Sequence, residues 1–291
     1  MNVLHTINLA DWRGPFPPTM QAAACDALES GKALFFPQLA FALGSEEEAL
    51  LTAEVSDGKA KNVSLKPSGG LGGTACSGER AHLLQHMMER FAATATRFLG
   101  TLIPAYANHL ECAPTSFRPV EIDGRAASAI SDDARMHVDA FPSRPMRGRR
   151  ILRLFANINP DGAPRLWRIG EPFEDMAKRF LPAAREGSRL QARILAALGI
   201  TKGVRTPYDG LMLGLHDGAK LDEDYQLRAP RVEISFPAGS TWICYTDQMM
   251  HAALKGQFVL EQTFHLDIDA MMIPEYSPLR TLERLRGHSL V

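Results

Sequence analysis

The chain has 291 residues, 45% hydrophobic and 22% charged, which is enough apolar material for one large globular unit. Its 32 basic and 33 acidic side chains leave a formal net charge of −1, so no global basic field argues for nucleic-acid binding. Cys25, Cys76, Cys112 and Cys244 lack CxxC spacing, which argues against a zinc ribbon or a disulfide scaffold and predicts buried free thiols.

In chain order, residues 33–37 (ALFFP) read as a strand and 45–51 as a short acidic helix, with Ser45 and Glu48 spaced as a capping box. The glycine-rich segment 67–74 (PSGGLGGT) follows Lys61, Asn62 and Lys66; lacking GK[ST], it reads as a mobile loop rather than a phosphate cradle. From Glu79 to about Ile103, Leu84, Met87, Phe91, Ala95, Phe98 and Leu102 form an apolar stripe, and Pro104 ends the helix. His82 and His86 lie four apart there but without an acidic HExxH context, so they read as ordinary surface histidines.

After Pro114 the texture changes to strands at 116–122, 135–139, 151–158, 165–169, 231–236, 241–246 and 258–267. Helical stretches at 171–184 and 188–198 and a mixed segment at 208–225 interrupt them. The strands do not alternate with helices and no dinucleotide fingerprint is present. The fold class expected is therefore mainly β with helical additions, a jelly roll buttressed by helices. No basic leader followed by an apolar stretch opens the chain and no run reaches the ~18 apolar residues of a membrane span, which predicts a cytoplasmic protein.

His137-Val138-Asp139 falls on one of these strands, where residues two apart share a face. An imidazole and a carboxylate are thus delivered together, and His251, 112 positions after Asp139, lies between two later strands. Two histidines and one carboxylate with open positions are the donor set of non-haem iron(II) oxygenases. HxD alone occurs often by chance; the strand order around it carries the weight. Seven arginines and one acid lie between 144 and 168, and Arg153 shares a strand face with Phe155 and Asn157 while the opposite face is more apolar. Arg153 is therefore expected to point inward, where a buried guanidinium needs an anion. Asp247 reads either as an acceptor orienting a metal ligand or as a turn residue.

At these residues the chain resembles the iron(II)/2-oxoglutarate oxygenases, and within them the bacterial Kdo (3-deoxy-D-manno-oct-2-ulosonic acid) hydroxylases. The resemblance runs along most of the chain, through 31–43, 61–74, 137–145, 150–173 and 251–267. It implies a double-stranded β-helix (cupin-like) core over about 115–270 after an α/β extension over about 1–114, in a single domain. It also implies His137, Asp139 and His251 as iron ligands and 2-oxoglutarate as co-substrate. Many members carry an arginine nine to fourteen residues after the distal histidine; the window 260–265 has none. Arg153 is its expected substitute, with Asn157 and Gln262 beside it, and His265 is a further polar candidate.

The implied substrate is the acidic sugar of Kdo-lipid A, with Lys61, Asn62, Lys66, Arg144, Arg150 and Trp167 as expected binding residues. Such a substrate implies peripheral contact with the cytoplasmic face of the inner membrane, for which the helix from Glu79 is one candidate, although its stripe reads better as core; a homo-oligomer is compatible with the sequence. The rival readings are an oxygenase acting on another small acidic metabolite or a peptide, and a non-catalytic jelly roll that binds sugar or metal.

Overall fold

The structure, a computed structural model, describes residues 1–124 and 128–291. Its strands are β1 (Leu4–Thr6), β2 (Ala33–Phe36), β3 (Val63–Leu65), β4 (Leu71–Gly72), β5 (Glu111–Arg118), β6 (Arg150–Asn157), β7 (Arg165–Gly170), β8 (Arg231–Phe236), β9 (Thr241–Tyr245), β10 (His251–Lys255) and β11 (Val259–Leu266). The helices are α1 (Pro18–Glu29), α2 (Gly78–Leu102), α3 (Phe173–Phe180), α4 (Arg189–Ala197), α5 (Pro207–Leu221), α6 (Glu223–Arg228) and α7 (Pro278–Arg286).

Eight strands form a mixed sheet in the order β1-β2-β9-β6-β11-β5-β3-β4, and β10-β7-β8 form a smaller antiparallel one. β6 (RILRLFAN) bonds to β9 on one side and β11 on the other, so a strand rich in branched side chains takes the most enclosed position. Its even-numbered residues Leu152, Leu154 and Ala156 share a core with Leu260 and Phe264 of β11 and with the apolar stripe of α2. The other face meets the small sheet: Phe155, Trp242, Cys244 and Val259 pack on Trp167, Ile169, Phe236 and Ala253. The stripe read from the sequence of α2 is buried in full, and Ser188 caps α4 through its side chain.

Several local expectations are corrected. The acidic segment forms only a 3-10 turn, Glu47–Leu50, with no Ser45 cap; the Glu47 carboxylate accepts from the Gly44 amide instead (2.8 Å). The glycine-rich segment is no open loop, because 63–65 and 71–72 close a hairpin whose turn uses Gly69 and Gly70 at φ +87° and +90°, a conformation suited to glycine. β5 starts at Glu111 and runs through Pro114, which sits where the β5–β11 register shifts and no ladder donor is required. Residues 135–139 make no strand: they meet β10 through a single bridge, His137 to His251. The segment 208–225 resolves into α5, opened by a Thr206–Asp209 capping box, and the start of α6. All four cysteines are free, but only Cys25 and Cys244 are buried.

Phe98 of α2 is fully buried, edge-on to Trp12, Phe16 and Phe36 at centroid distances of 5.1, 5.6 and 5.4 Å. Truncating it leaves a cavity that four elements cannot refill. Phe98→Ala is expected to cost ~3–5 kcal/mol in urea unfolding; a loss under ~1 kcal/mol would show that α2 does not anchor the sheet.

Candidate metal centre

His137, Asp139 and His251 come together between the two sheets, with one ligand atom of each lying within 4.8 Å of the others. Backbone geometry brings them there. His137 and His251 exchange both amide–carbonyl hydrogen bonds (3.0 and 2.9 Å), and the Asp139 amide donates to the Thr246 carbonyl (2.7 Å). Val138 between them is buried in the opposite direction, so the same-face spacing survives without a regular strand.

Each imidazole is oriented by a backbone carbonyl. His137 Nδ1 lies 2.7 Å from the Arg135 oxygen and His251 Nδ1 lies 2.8 Å from that of Met249. An Nδ1–H donating there leaves the Nε2 lone pair as the ligand. Burial holds both histidines below their usual range, which keeps them neutral. Trp167 stacks on the His251 ring at 5.2 Å and 22°, and His216 of α5 stands edge-on to His137. Burial opposes ionisation of Asp139, but the Arg153 guanidinium outweighs it and holds the carboxyl well below the usual range. Arg153 Nη2 lies 2.7 Å from Asp139 Oδ2, off the line of a directed hydrogen bond, and that oxygen has no other partner. Two buried neutral imidazoles and one ionised carboxylate with a free oxygen fit iron(II) as a facial triad.

Around the triad runs a buried charge network. Arg153 pairs with Asp139 and also with Glu261 (2.7 Å), and Glu261 accepts in turn from Arg118 (Nε, 3.1 Å). Asp133 lies 4.0 Å from Arg118 and 2.8 Å from the Lys61 amine. Burial opposes its ionisation too, but Arg118 and Lys61 bring its pKa down to about 2. Arg165 differs from these arginines. It is buried in the same cavity with no carboxylate within ion-pair distance among the described residues; Nη1 donates to the Gly256 carbonyl and Nε has no partner. Burial and the nearby Arg118 bring its pKa down to about 9, the condition of a cation that lacks its anion. Gly256 (φ +112°) lets the backbone come this close, since a Cβ there would meet Arg165 at 3.1 Å.

The other expected site residues divide. Arg153 points inward as its strand face requires, yet its charge is already matched by two carboxylates. Asn157 is absorbed by the turn after β6, donating to the Ala163 and Phe236 carbonyls and accepting from the Asn159 amide. Gln262 lies on the helix-facing side of β11, bonded to Thr115 and to the Ala113 carbonyl. Arg150 is fully buried, paired with Asp247 (2.8 Å), bonded to Gln248 and stacked on Tyr245, where no substrate reaches it. Asp247 does sit in the turn after β9, and its carboxylate is taken up by Arg150 rather than by a metal ligand. Asn62 lines neither this cavity nor the cleft beyond it.

That cleft holds Lys66, Arg144, Arg149, Lys202 and His265. Lys66, Arg144 and Lys202 have no acidic partner among the described residues, whereas Arg149 pairs with Glu111 and Asp267 (2.8 and 2.9 Å). Burial and Arg149 bring the His265 pKa down to about 4, and its Nε2 is buried without a partner. Register relates cleft to metal: Thr263 pairs with Arg153, and His265 follows on the same face of β11, roughly 7 Å further along. The residues missed in the sequence are Arg118 and Asp133; Arg165 and Glu261 stood among its basic and polar residues without being singled out. Alternation on β7 would have grouped Arg165 with Trp167, and alternation on β11 would have preferred Glu261 to Gln262.

A profile of the 3-deoxy-D-manno-oct-2-ulosonic acid (Kdo) hydroxylase family matches residues 11–289. The chain belongs to this family. Among solved structures it is similar to the Kdo hydroxylase KdoO, a non-haem Fe(II) α-ketoglutarate-dependent dioxygenase. KdoO in complex with α-ketoglutarate and Fe(III) is 47% identical over 99% of this chain and 97% of its own, with a TM-score of 0.95. The apo form of KdoO is 48% identical over the same shares, also with a TM-score of 0.95, and a further complex holds succinate and Fe(III). A search of curated proteins gave no match.

In this Kdo hydroxylase, Asp139 is the triad's single carboxylate, and its loss leaves two neutral imidazoles. Asp139→Ala is expected to reduce iron retained after anaerobic loading and desalting to background while the far-ultraviolet circular dichroism is unchanged. Stoichiometric iron in that variant would remove Asp139 from the ligand set.

Proposed function

We propose that the protein hydroxylates the Kdo sugar of Kdo-lipid A, using iron(II), 2-oxoglutarate and dioxygen, as a single domain on a double-stranded β-helix core. The observation that carries this reading is the buried His137–Asp139–His251 triad beside an arginine that lacks an anion, in a chain of the Kdo hydroxylase family. Iron(II) held by His137, Asp139 and His251 would let dioxygen act as the oxidant: 2-oxoglutarate would supply two of its four electrons and the sugar C–H bond the other two, so that one oxygen atom ends in the sugar and one in succinate, with carbon dioxide released.

The chain's own residues do the rest. The carbonyls of Arg135 and Met249 hold the two imidazoles in the ligating tautomer. Arg153 keeps Asp139 ionised and links it to Glu261 and Arg118, so the carboxylate cannot swing freely. Trp167 and Phe155 close one wall of the cavity to water. Arg165, the cation without a carboxylate, receives the distal carboxylate of 2-oxoglutarate, the role first expected of Arg153. Lys66, Arg144 and Lys202 line the cleft that also holds His265, where the carboxylate of an acidic sugar would be held. A substrate anchored in lipid implies that the chain works at a membrane surface.

Arg165→Met is expected to raise the 2-oxoglutarate concentration for half-maximal rate about 30-fold or more. Removing one partner of a buried charge pair costs ~2–5 kcal/mol, and ~1.4 kcal/mol is tenfold. An unchanged requirement would return that role to another residue.

The deciding assay is succinate release by iron-loaded protein with 2-oxoglutarate and oxygen, with and without Kdo-lipid A. Release stimulated by the glycolipid, with a product heavier by one oxygen, is expected. Unstimulated release would keep the oxygenase and discard the sugar. No release from iron-bound protein would favour a binding module.

A further inference from the structure

No helix of the described residues is long and apolar enough to cross a membrane, and the apolar stripe of α2 is core, as its pattern led one to expect. A different segment has the opposite character. Residues 187–208 contain no acid but carry Arg189, Arg193, Lys202 and Arg205, none with an acidic partner among the described residues. Of the 13 exposed large apolar side chains among the described residues, five lie here: Leu190, Ile194, Leu198, Ile200 and Val204.

Their placement on α4 is ordered. Ala192 is buried and Leu195 and Ala196 are half-buried, which ties one face of the helix to the body. At 100° per residue, Leu190, Ile194 and Leu198 fall together on the opposite face, exposed to 69%, 50% and 68%. Arg189 and Arg193 flank that apolar arc on one side. An apolar strip rimmed by unpaired cations is costly in water, and its chemistry matches an interface where acyl chains lie beneath anionic headgroups. Charge complementarity selects that occupant over a second copy of this chain, whose same face would bring four cations against four. The strip also continues into the substrate cleft: the Lys202 amide donates to the Ser143 carbonyl (2.8 Å), and Lys202 lines the cleft with Arg144.

We propose that α4 and the segment after it, through Val204, dock the protein on an anionic phospholipid surface, with Leu190, Ile194 and Leu198 inserted and Arg189 and Arg193 at the headgroups. Docking there sets the mouth of the basic cleft against the bilayer, where the headgroup of an anchored glycolipid enters without leaving the membrane. This deepens the glycolipid reading, but its readout needs neither substrate nor turnover.

The test is co-sedimentation of the full-length protein with phosphatidylcholine vesicles, with and without phosphatidylglycerol, at low and high salt. Binding is expected only to the phosphatidylglycerol vesicles and is expected to weaken with salt. The Ile194→Glu/Leu198→Glu double variant is expected to bind at least tenfold more weakly with an unchanged thermal midpoint. Arg189→Gln/Arg193→Gln is expected to lose most of the salt dependence. The proposal is overturned if the wild-type protein stays in the supernatant with both vesicle types, or if the double variant pellets like wild type. It is also overturned if the wild type forms a dimer that the double variant breaks while neither binds vesicles; the face then belongs to a second copy. Vesicles free of Kdo-lipid A report docking and succinate release reports hydroxylation, so either can fail without the other.

Discussion

Asp139 and Arg153 lie 2.7 Å apart in the seam between the two sheets, and the arrangement of the interior follows from that pair. A carboxylate that is to face a metal must remain ionised while out of water, a state that burial alone opposes. Arg153 supplies the opposite charge from the central strand of the large sheet. With Glu261 also beside it, one guanidinium faces two carboxylates, and Arg118 supplies the second positive charge. The chain Asp139–Arg153–Glu261–Arg118 thus crosses β6, β11 and β5 and joins the metal site to the strands that carry the core. Stability and chemistry share these contacts, because a buried charge in such a network cannot be removed without stranding its neighbour.

Arg165 stands apart from that balance. Every other arginine in the seam meets a carboxylate, whereas Arg165 has only a backbone oxygen, and its lowered pKa expresses the cost. A fold optimised for stability alone would place an apolar residue there. An unpaired buried cation beside a metal triad is the mark of a site completed by an anionic ligand. The same logic, at lower burial, applies to Lys66, Arg144 and Lys202. Lys202 joins that basic cleft to the segment that follows α4.

Much of this was legible in the sequence for reasons that can be stated. Period-two and period-3.6 patterns located β6, β7, β8, β9 and α2 closely, since burial on one face constrains every second or every third and fourth residue. The HxD spacing survived even though 135–139 is not a regular strand, because any extended backbone puts residues two apart on one side. Short edge elements such as β1, β4 and β10 were missed; two to five residues carry too little periodicity to stand out.

The sequence by itself determined the kind of chemistry: the donor set His137, Asp139 and His251, the apolar faces of the main strands, and a surplus of arginines near them. Only the tertiary structure decided which of those arginines is free. Arg150, Arg153 and Arg165 look alike along the chain, yet one is stacked under Tyr245 with Asp247, one is matched by Asp139 and Glu261, and one has no carboxylate. The reason is that the pairs that separate them, Arg150 with Asp247 and Arg153 with Glu261, join residues about a hundred positions apart. Strand register sets these pairs, and local sequence carries no record of register.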